Sequence, residues 1–214
     1  MREATATQVK SPRCSSGFVR HASTGILRRF IARAFDEEVP SDEPDRDGYF
    51  TPPPPRLHRA ESESALAFFV ADDIRRRVTD GSVLYREVAI LYRDKWSSAG
   101  DFRRGNREFV ESLLARLAAH AVPGAWVSQD QHAKAHYDAT SDRVAVMSYH
   151  SAKGFEFDLV YVLGVDRLDE TLADREEIDA YLRCALTRAC YELVVPYVRV
   201  TNSVSRLTAA AAER

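Results

Sequence analysis

Cysteine is scarce in this chain: three among 214 residues, Cys14, Cys184 and Cys190, with no Cys-x-x-Cys. An odd count without that spacing excludes a disulfide framework and a cysteine zinc site, and it fits a reducing compartment, the cytoplasm. Long apolar runs are missing as well. The longest, Leu159–Val165 and Leu193–Pro196, fall far short of the ~20 residues that span a bilayer, so no membrane is expected. Neither sign of charge is in excess: 30 Lys and Arg stand against 32 Asp and Glu, a net −2. A freestanding nucleic-acid binder usually shows a basic surplus, so any polyanion contact here has to be a local patch. The sequence holds no G-x-x-x-x-G-K-[ST], hence no loop to cradle the phosphates of a nucleotide, and no apolar strand that runs into Asp-Glu to hold Mg²⁺. No internal repeat is visible.

What is present reads as one domain with tails. Hydrophobic residues make up 45% and charged residues 29%, which excludes a wholly disordered or fibrous chain. The charge is unevenly laid out. Residues 1–35 carry seven Arg or Lys against one acid, and residues 36–55 carry seven acids against one Arg. Residues 1–24 form a polar tail. The basic start resembles a transit peptide in composition, but Ile26, Phe30, Ala34 and Leu27, Ile31, Phe35 repeat every four residues and predict a core helix over 25–35. Residues 36–59 read as an exposed acidic linker, with four successive prolines from Pro52 that favour extended backbone.

From residue 60 to 200 the pattern is regular. Ser62 can cap a helix that carries Leu66, Phe69, Val70 and Ile74 and ends near Gly81. Val88–Arg93 is a short apolar run, expected as a buried strand, and 106–121 has helical spacing. Residues 122–142 look like loop. Val144–His150 and Leu159–Val165 read as further strands, then Asp174 can cap a helix over 175–190, and Glu192–Val198 reads as a strand. Residues 201–214 read as a C-terminal tail. Apolar strands alternating with amphipathic helices predict an α/β parallel sheet covered on both faces. Ligands on such sheets sit at the carboxyl ends of the strands, which singles out the loops after Arg93, His150 and Val165.

Polar chemistry crowds one of those loops, His150-Ser151-Ala152-Lys153-Gly154-Phe155-Glu156-Phe157-Asp158. In its order this segment resembles motif V of the UvrD/Rep-type superfamily 1 helicases, roughly T-x-H-x-x-K-G-L-E-[FW], with Phe155 at the usual leucine. Tyr181-Leu182-Arg183-Cys184-Ala185-Leu186-Thr187-Arg188-Ala189 resembles the family's motif VI, and Val88-Ala89-Ile90-Leu91-Tyr92-Arg93 resembles the strand that opens its second RecA-like domain. The resemblance implies a RecA-like C-terminal helicase domain without its own phosphate loop. It implies half of an ATP-driven, 3′-to-5′ single-strand DNA translocase, paired with a first motor domain in cis or in trans. ATP and Mg²⁺ would bind only with that partner. By the same resemblance, Arg188 reaches the γ-phosphate as an arginine finger, Glu156 meets the ribose, and Gly154 lets the backbone approach the phosphates. His150, Ser151 and Lys153 touch the single strand, with Arg93 and Lys95 as further contacts. Arg20-His21-Ala22 stands where the family has Asn-Tyr-Arg. The segment between Arg93 and Val144 is too short for an accessory domain, as in compact members.

Other readings stay in view. The first ~20 residues fit a start site placed within a longer gene, which would make the chain an inactive truncated fragment. A non-enzymatic module that binds nucleic acid or a partner helicase is the other alternative. His132 and His136, four apart, could grip a metal on a helix, but they lack the Glu of His-Glu-x-x-His and a third ligand, so a solvated stretch is expected. Ser151, His150 and Asp158 are the residue types of a hydrolytic triad, yet no G-x-S-x-G turn presents the serine. Cys184 and Cys190 are expected buried on one helix.

Overall fold

The computed structural model describes residues 25–40, 53–93, 102–172 and 174–212. The expected tail 1–24 with Cys14 and Arg20-His21-Ala22, the linker stretch 41–52, and Lys95 lie outside these residues. Six strands pair in parallel: β1 Arg56–Arg59, β2 Val88–Tyr92, β3 Gly124–Trp126, β4 Val144–Ser148, β5 Phe157–Leu163 and β6 Ala189–Tyr197. Their order across the sheet is β1-β6-β5-β2-β4-β3. The helices are α1 Gly25–Ala34, α2 Glu63–Thr79, α3 Phe102–Ala119, α4 Gln131–Ala135, α5 Leu168–Thr171, α6 Arg175–Leu186 and α7 Asn202–Ala212.

Every residue of β2 and of β4 is buried, because helices cover both faces of the sheet and leave no polar side. Alternate residues serve two cores. Ala89, Leu91, Met147, Val162 and Leu193 pack with Leu27 and Phe30 of α1, Leu182 of α6 and Leu207 of α7. Val88, Ile90, Val146, Tyr161 and Val194 face the other way, onto Val70 and Ile74 of α2 and Leu113 and Leu117 of α3. Ser62 caps α2 as its position predicts, its hydroxyl accepting from the Ala65 N–H at 3.1 Å.

The fold departs from the sequence reading in four places. Residues 56–59, expected as linker, are the edge strand β1, whose polar sequence is tied down by Arg56 bonding Asp73 of α2. Residues 122–142, expected as loop, contain β3 and α4. β3 is too short to show alternation, and its glycine lets it lie close on α3, since a Cβ on Gly124 would stand 2.8 Å from Leu114 Cδ2 and that side chain would have to shift. The expected tail 201–214 carries α7, where Val204, Leu207 and Ala210 are buried. Its first turn is held by the Asp169 carboxylate, which accepts from the Ser203 N–H at 3.1 Å. The helix expected over 175–190 stops at Leu186 with Thr187 as its C-cap. The Thr187 N–H and hydroxyl both return to the Arg183 carbonyl, at 3.1 and 2.6 Å. β6 starts two residues later, so Cys184 lies on a helix and Cys190 on a strand.

Candidate functional site

β4 ends at Ser148, in register with Tyr92 of β2, which is in register with Leu163 at the end of β5. β5 begins at Phe157, in register with Ala189 at the start of β6. The connection 149–156 therefore leaves the carboxyl edge of the sheet and arrives at the amino edge. That is roughly 20 Å along the strands, covered without a helix. Turns carry it: the Ala152 N–H bonds the Ser148 carbonyl at 3.0 Å, the Lys153 N–H that of His150 at 3.2 Å, and the Phe155 N–H that of Ala152 at 3.0 Å. Tyr149 and Ala152 anchor the crossing on the core, both fully buried. The Tyr149 hydroxyl donates to the Leu163 carbonyl at 2.5 Å. Ser151 is half-buried, and His150, Lys153, Gly154 and Glu156 are exposed. Gly154 has φ of +91°, with nothing within 4 Å of where a Cβ would stand. That conformation favours glycine by backbone strain alone.

α6 lies alongside the crossing. Its Tyr181 ring meets His150 edge-on at 4.8 Å, and the Cys184 thiol donates to the Tyr149 carbonyl at 3.2 Å. Beyond the helix end, Arg188 joins the two segments. Its guanidinium donates to the Phe155 carbonyl at 3.2 Å, to the Cys184 carbonyl at 3.1 Å and to the Thr187 hydroxyl at 3.0 Å. The Arg188 carbonyl accepts from the Phe157 N–H at 3.0 Å. Glu156 sits 3.8 Å from the Cys190 thiol. Tyr191 follows, its hydroxyl pushed up to about 12 by burial and by Glu192 and Asp158. Gly154, Glu156 and Arg188 are thus gathered towards the amino edge of β5 and β6, while His150 and Ser151 begin the crossing near the carboxyl edge. The expectation placed ligands in the crevice at the carboxyl ends of the strands; the crossing, with no helix in it, carries one polar motif to both edges. Arg188 stands in the turn after the helix, where the sequence reading had placed it on the helix. Cys184 and Thr187, which hold Arg188 in place, give no signal of that role in the sequence because they act through a carbonyl and a C-cap hydroxyl.

Arg93 is placed differently from the expectation. It follows the central strand β2, is 2% exposed, and donates to the Arg167 carbonyl at 2.7 Å. The turn after β5 covers it, so it is a buried cation and not a surface contact. Arg167 itself pairs with Glu63, and burial, with Arg199 next, lowers its affinity for its proton. His132 and His136 stack at 4.0 Å on α4, and a ring nitrogen of His136 lies 2.9 Å from the His132 carbonyl. Among the described residues, no group of three or more His, Cys, Asp or Glu side chains could hold a metal ion.

No protein-family model matches the chain, and no curated protein matches it. Among solved structures, the chain is similar to the C-terminal domain of a possible DNA helicase from Lactobacillus plantarum WCFS1. The TM-score is 0.60 at 17% identity, over 88% of this chain and 94% of that one. The fold is RecA-like. At that identity the likeness concerns architecture: six parallel strands with helices on both faces. Within this RecA-like fold, the elements that carry Arg188 and Glu156 meet at the amino edge of the sheet. No helix among the described residues is long and apolar enough to cross a membrane.

Proposed function

We propose that this chain is the second motor domain of an ATP-driven, 3′-to-5′ translocase on single-stranded DNA. In this reading it works with a first motor domain that holds most of the nucleotide. The observation that carries it is the pairing of the 149–156 crossing with the end of α6 through Arg188 and the Phe155 carbonyl. It puts a guanidinium, an exposed carboxylate and an unhindered glycine backbone side by side. Those groups suit the phosphates, ribose hydroxyls and phosphate backbone of a nucleotide, and they make one wall of a site. ATP with Mg²⁺ would supply the phosphoryl transfer that powers movement. This chain would orient the nucleotide through Glu156 and place Arg188 where charge builds on the transferring group. An arginine has five N–H donors, and three of the bonds they make are to the chain's own oxygens, which pre-orients the fork.

The other half of the reading concerns the strand. His150, Ser151 and Lys153 start the crossing, and a cation with hydroxyl and imidazole donors suits phosphate oxygens. Movement of the strand at one end of the crossing would be felt at the nucleotide end through a connection pinned by Tyr149 and Arg188. The test is reconstitution with a purified first motor domain of a superfamily 1 helicase, with DNA-stimulated phosphate release as readout. Release that needs both chains supports the proposal. Release unaffected by omitting this chain would sink it.

A further inference from the structure

β3 ends at Trp126, two residues before β4 does, and the Val127 N–H makes a last bond to the Val146 carbonyl at 2.9 Å. The next N–H on that side of β4, from Ser148, has no strand carbonyl beside it in β3. The hydroxyl of Ser128 takes the carbonyl's place, accepting from the Ser148 N–H at 3.0 Å. Ser128 Oγ also shares a hydrogen bond with the Tyr92 hydroxyl at 2.9 Å, which in turn accepts from the Trp126 indole N–H at 2.9 Å. On the far side, the Ser148 hydroxyl donates to Ser151 Oγ at 3.1 Å and accepts from the Ser151 N–H at 3.3 Å. Ser148 is buried, where an N–H left without an acceptor is costly.

We infer that Ser128 is a positioning residue for the strand-contacting turn. It substitutes for the missing β3 carbonyl and, through Ser148, fixes where Ser151 and its neighbours leave the sheet. The inference rests on the proposed role of His150, Ser151 and Lys153 for its binding consequence, but its structural part stands apart from it. Ser128 is half-buried; Ser128→Thr keeps the hydroxyl and Ser128→Ala removes it.

The experiment uses the full chain as parent, Ser128→Ala, Ser128→Thr, Lys153→Ala and the Ser128→Ala/Lys153→Ala double variant. Backbone hydrogen exchange is followed by mass spectrometry on peptides covering 147–157, and fluorescence anisotropy is measured with fluorescein-labelled oligo-dT. Ser128→Ala is expected to speed exchange in 147–157 and leave peptides from α2 and α7 unchanged. Ser128→Thr is expected to restore the parent rate. Affinity for oligo-dT should fall roughly 3- to 10-fold in Ser128→Ala and by less when Lys153 is already alanine, because the two changes act on one turn. Unchanged exchange in 147–157, or a loss that Ser128→Thr does not repair, overturns the inference whatever the anisotropy shows. Faster exchange in 147–157 with oligo-dT binding as in the parent overturns its binding consequence. A parent that does not bind oligo-dT, or a Lys153→Ala variant that binds as well as the parent, overturns the proposed function of the turn and leaves the exchange result to judge Ser128.

Discussion

At the residue scale, Arg188 and Asp73 show two uses of a charged group. Arg188 is half-buried and held by oxygens of its own chain. With a first motor domain supplied, Arg188→Ala is expected to keep the complex and nucleotide binding but to lose about 10³-fold or more in hydrolysis. Titration calorimetry and phosphate release measure the two separately, and an unchanged rate would make the residue structural. Asp73 is 1% exposed on α2. It takes bonds from Arg56 and Arg76, from Arg77 Nε at 3.0 Å and from the Tyr161 hydroxyl at 2.7 Å. Burial works to raise its pKa, but Tyr161 and the arginines outweigh burial and hold it below the ordinary carboxylate value of 3.8. A carboxylate with a depressed folded pKa adds stability at pH values above its unfolded pKa, and this is lost as pH falls through about 4 and lower. Asp73→Ala is expected to cost about 1–3 kcal/mol at pH 7, since it leaves the buried Tyr161 hydroxyl without its acceptor and takes a partner from Arg56, Arg76 and Arg77. The gap to the parent should shrink in acid, as read from urea midpoints at pH 7 and pH 3. An equal gap at both pH values would refute the linkage.

At the scale of elements, β2, β4 and β5 were legible because a strand buried on both faces is a plain run of apolar residues, and α2 because Ser62 stands before a helical stripe. The candidate site was legible as an order of residues, from His150 to Asp158 and from Tyr181 to Ala189, but its geometry was not. The expected strand bounds leave no helix after His150, but nothing in one dimension tells how turns lay that connection against the end of α6, or that β2 ends beneath a turn that buries Arg93. β1 was hidden by its charge, β3 by its three residues, and α7 by small residues and a start held by Asp169 from a distant element. α7 provides a direct check on that lesson. It packs on α1 and closes one core, so Leu207→Ala, at a fully buried position, is expected to cost about 2–5 kcal/mol. Chemical denaturation followed by far-ultraviolet circular dichroism would show it. A loss under 1 kcal/mol would mean that residues beyond 200 are the tail that their composition suggests.

At the scale of the whole molecule, the near balance of charge limits what the domain can do alone. On the proposed reading few cations would serve the single strand, so affinity should be weak and its logarithm should fall with the logarithm of salt at only about −0.7 per phosphate neutralised. Lys153→Ala should flatten that slope by less than one unit and weaken all sequences alike. Anisotropy across a salt series decides, and marked sequence preference would contradict backbone contact. The purified chain is expected to show no DNA-stimulated release of phosphate, since its sequence has no phosphate-cradling loop. Robust turnover that survives repurification would end the half-motor reading. The connection between Tyr149 and Glu156 has one more consequence, which concerns length. Six residues in turns advance about 12 Å at the rise of a tight helix, and two extended residues add about 7 Å. Their total is close to the length of strand they must traverse, and the same eight residues drawn out fully would reach about 28 Å, so what slack the segment has is wound into its turns. It acts as a ruler between the edges: shortening it by two residues would straighten the turns that hold His150, Ser151 and Lys153 before it moved Phe157 out of register with Ala189.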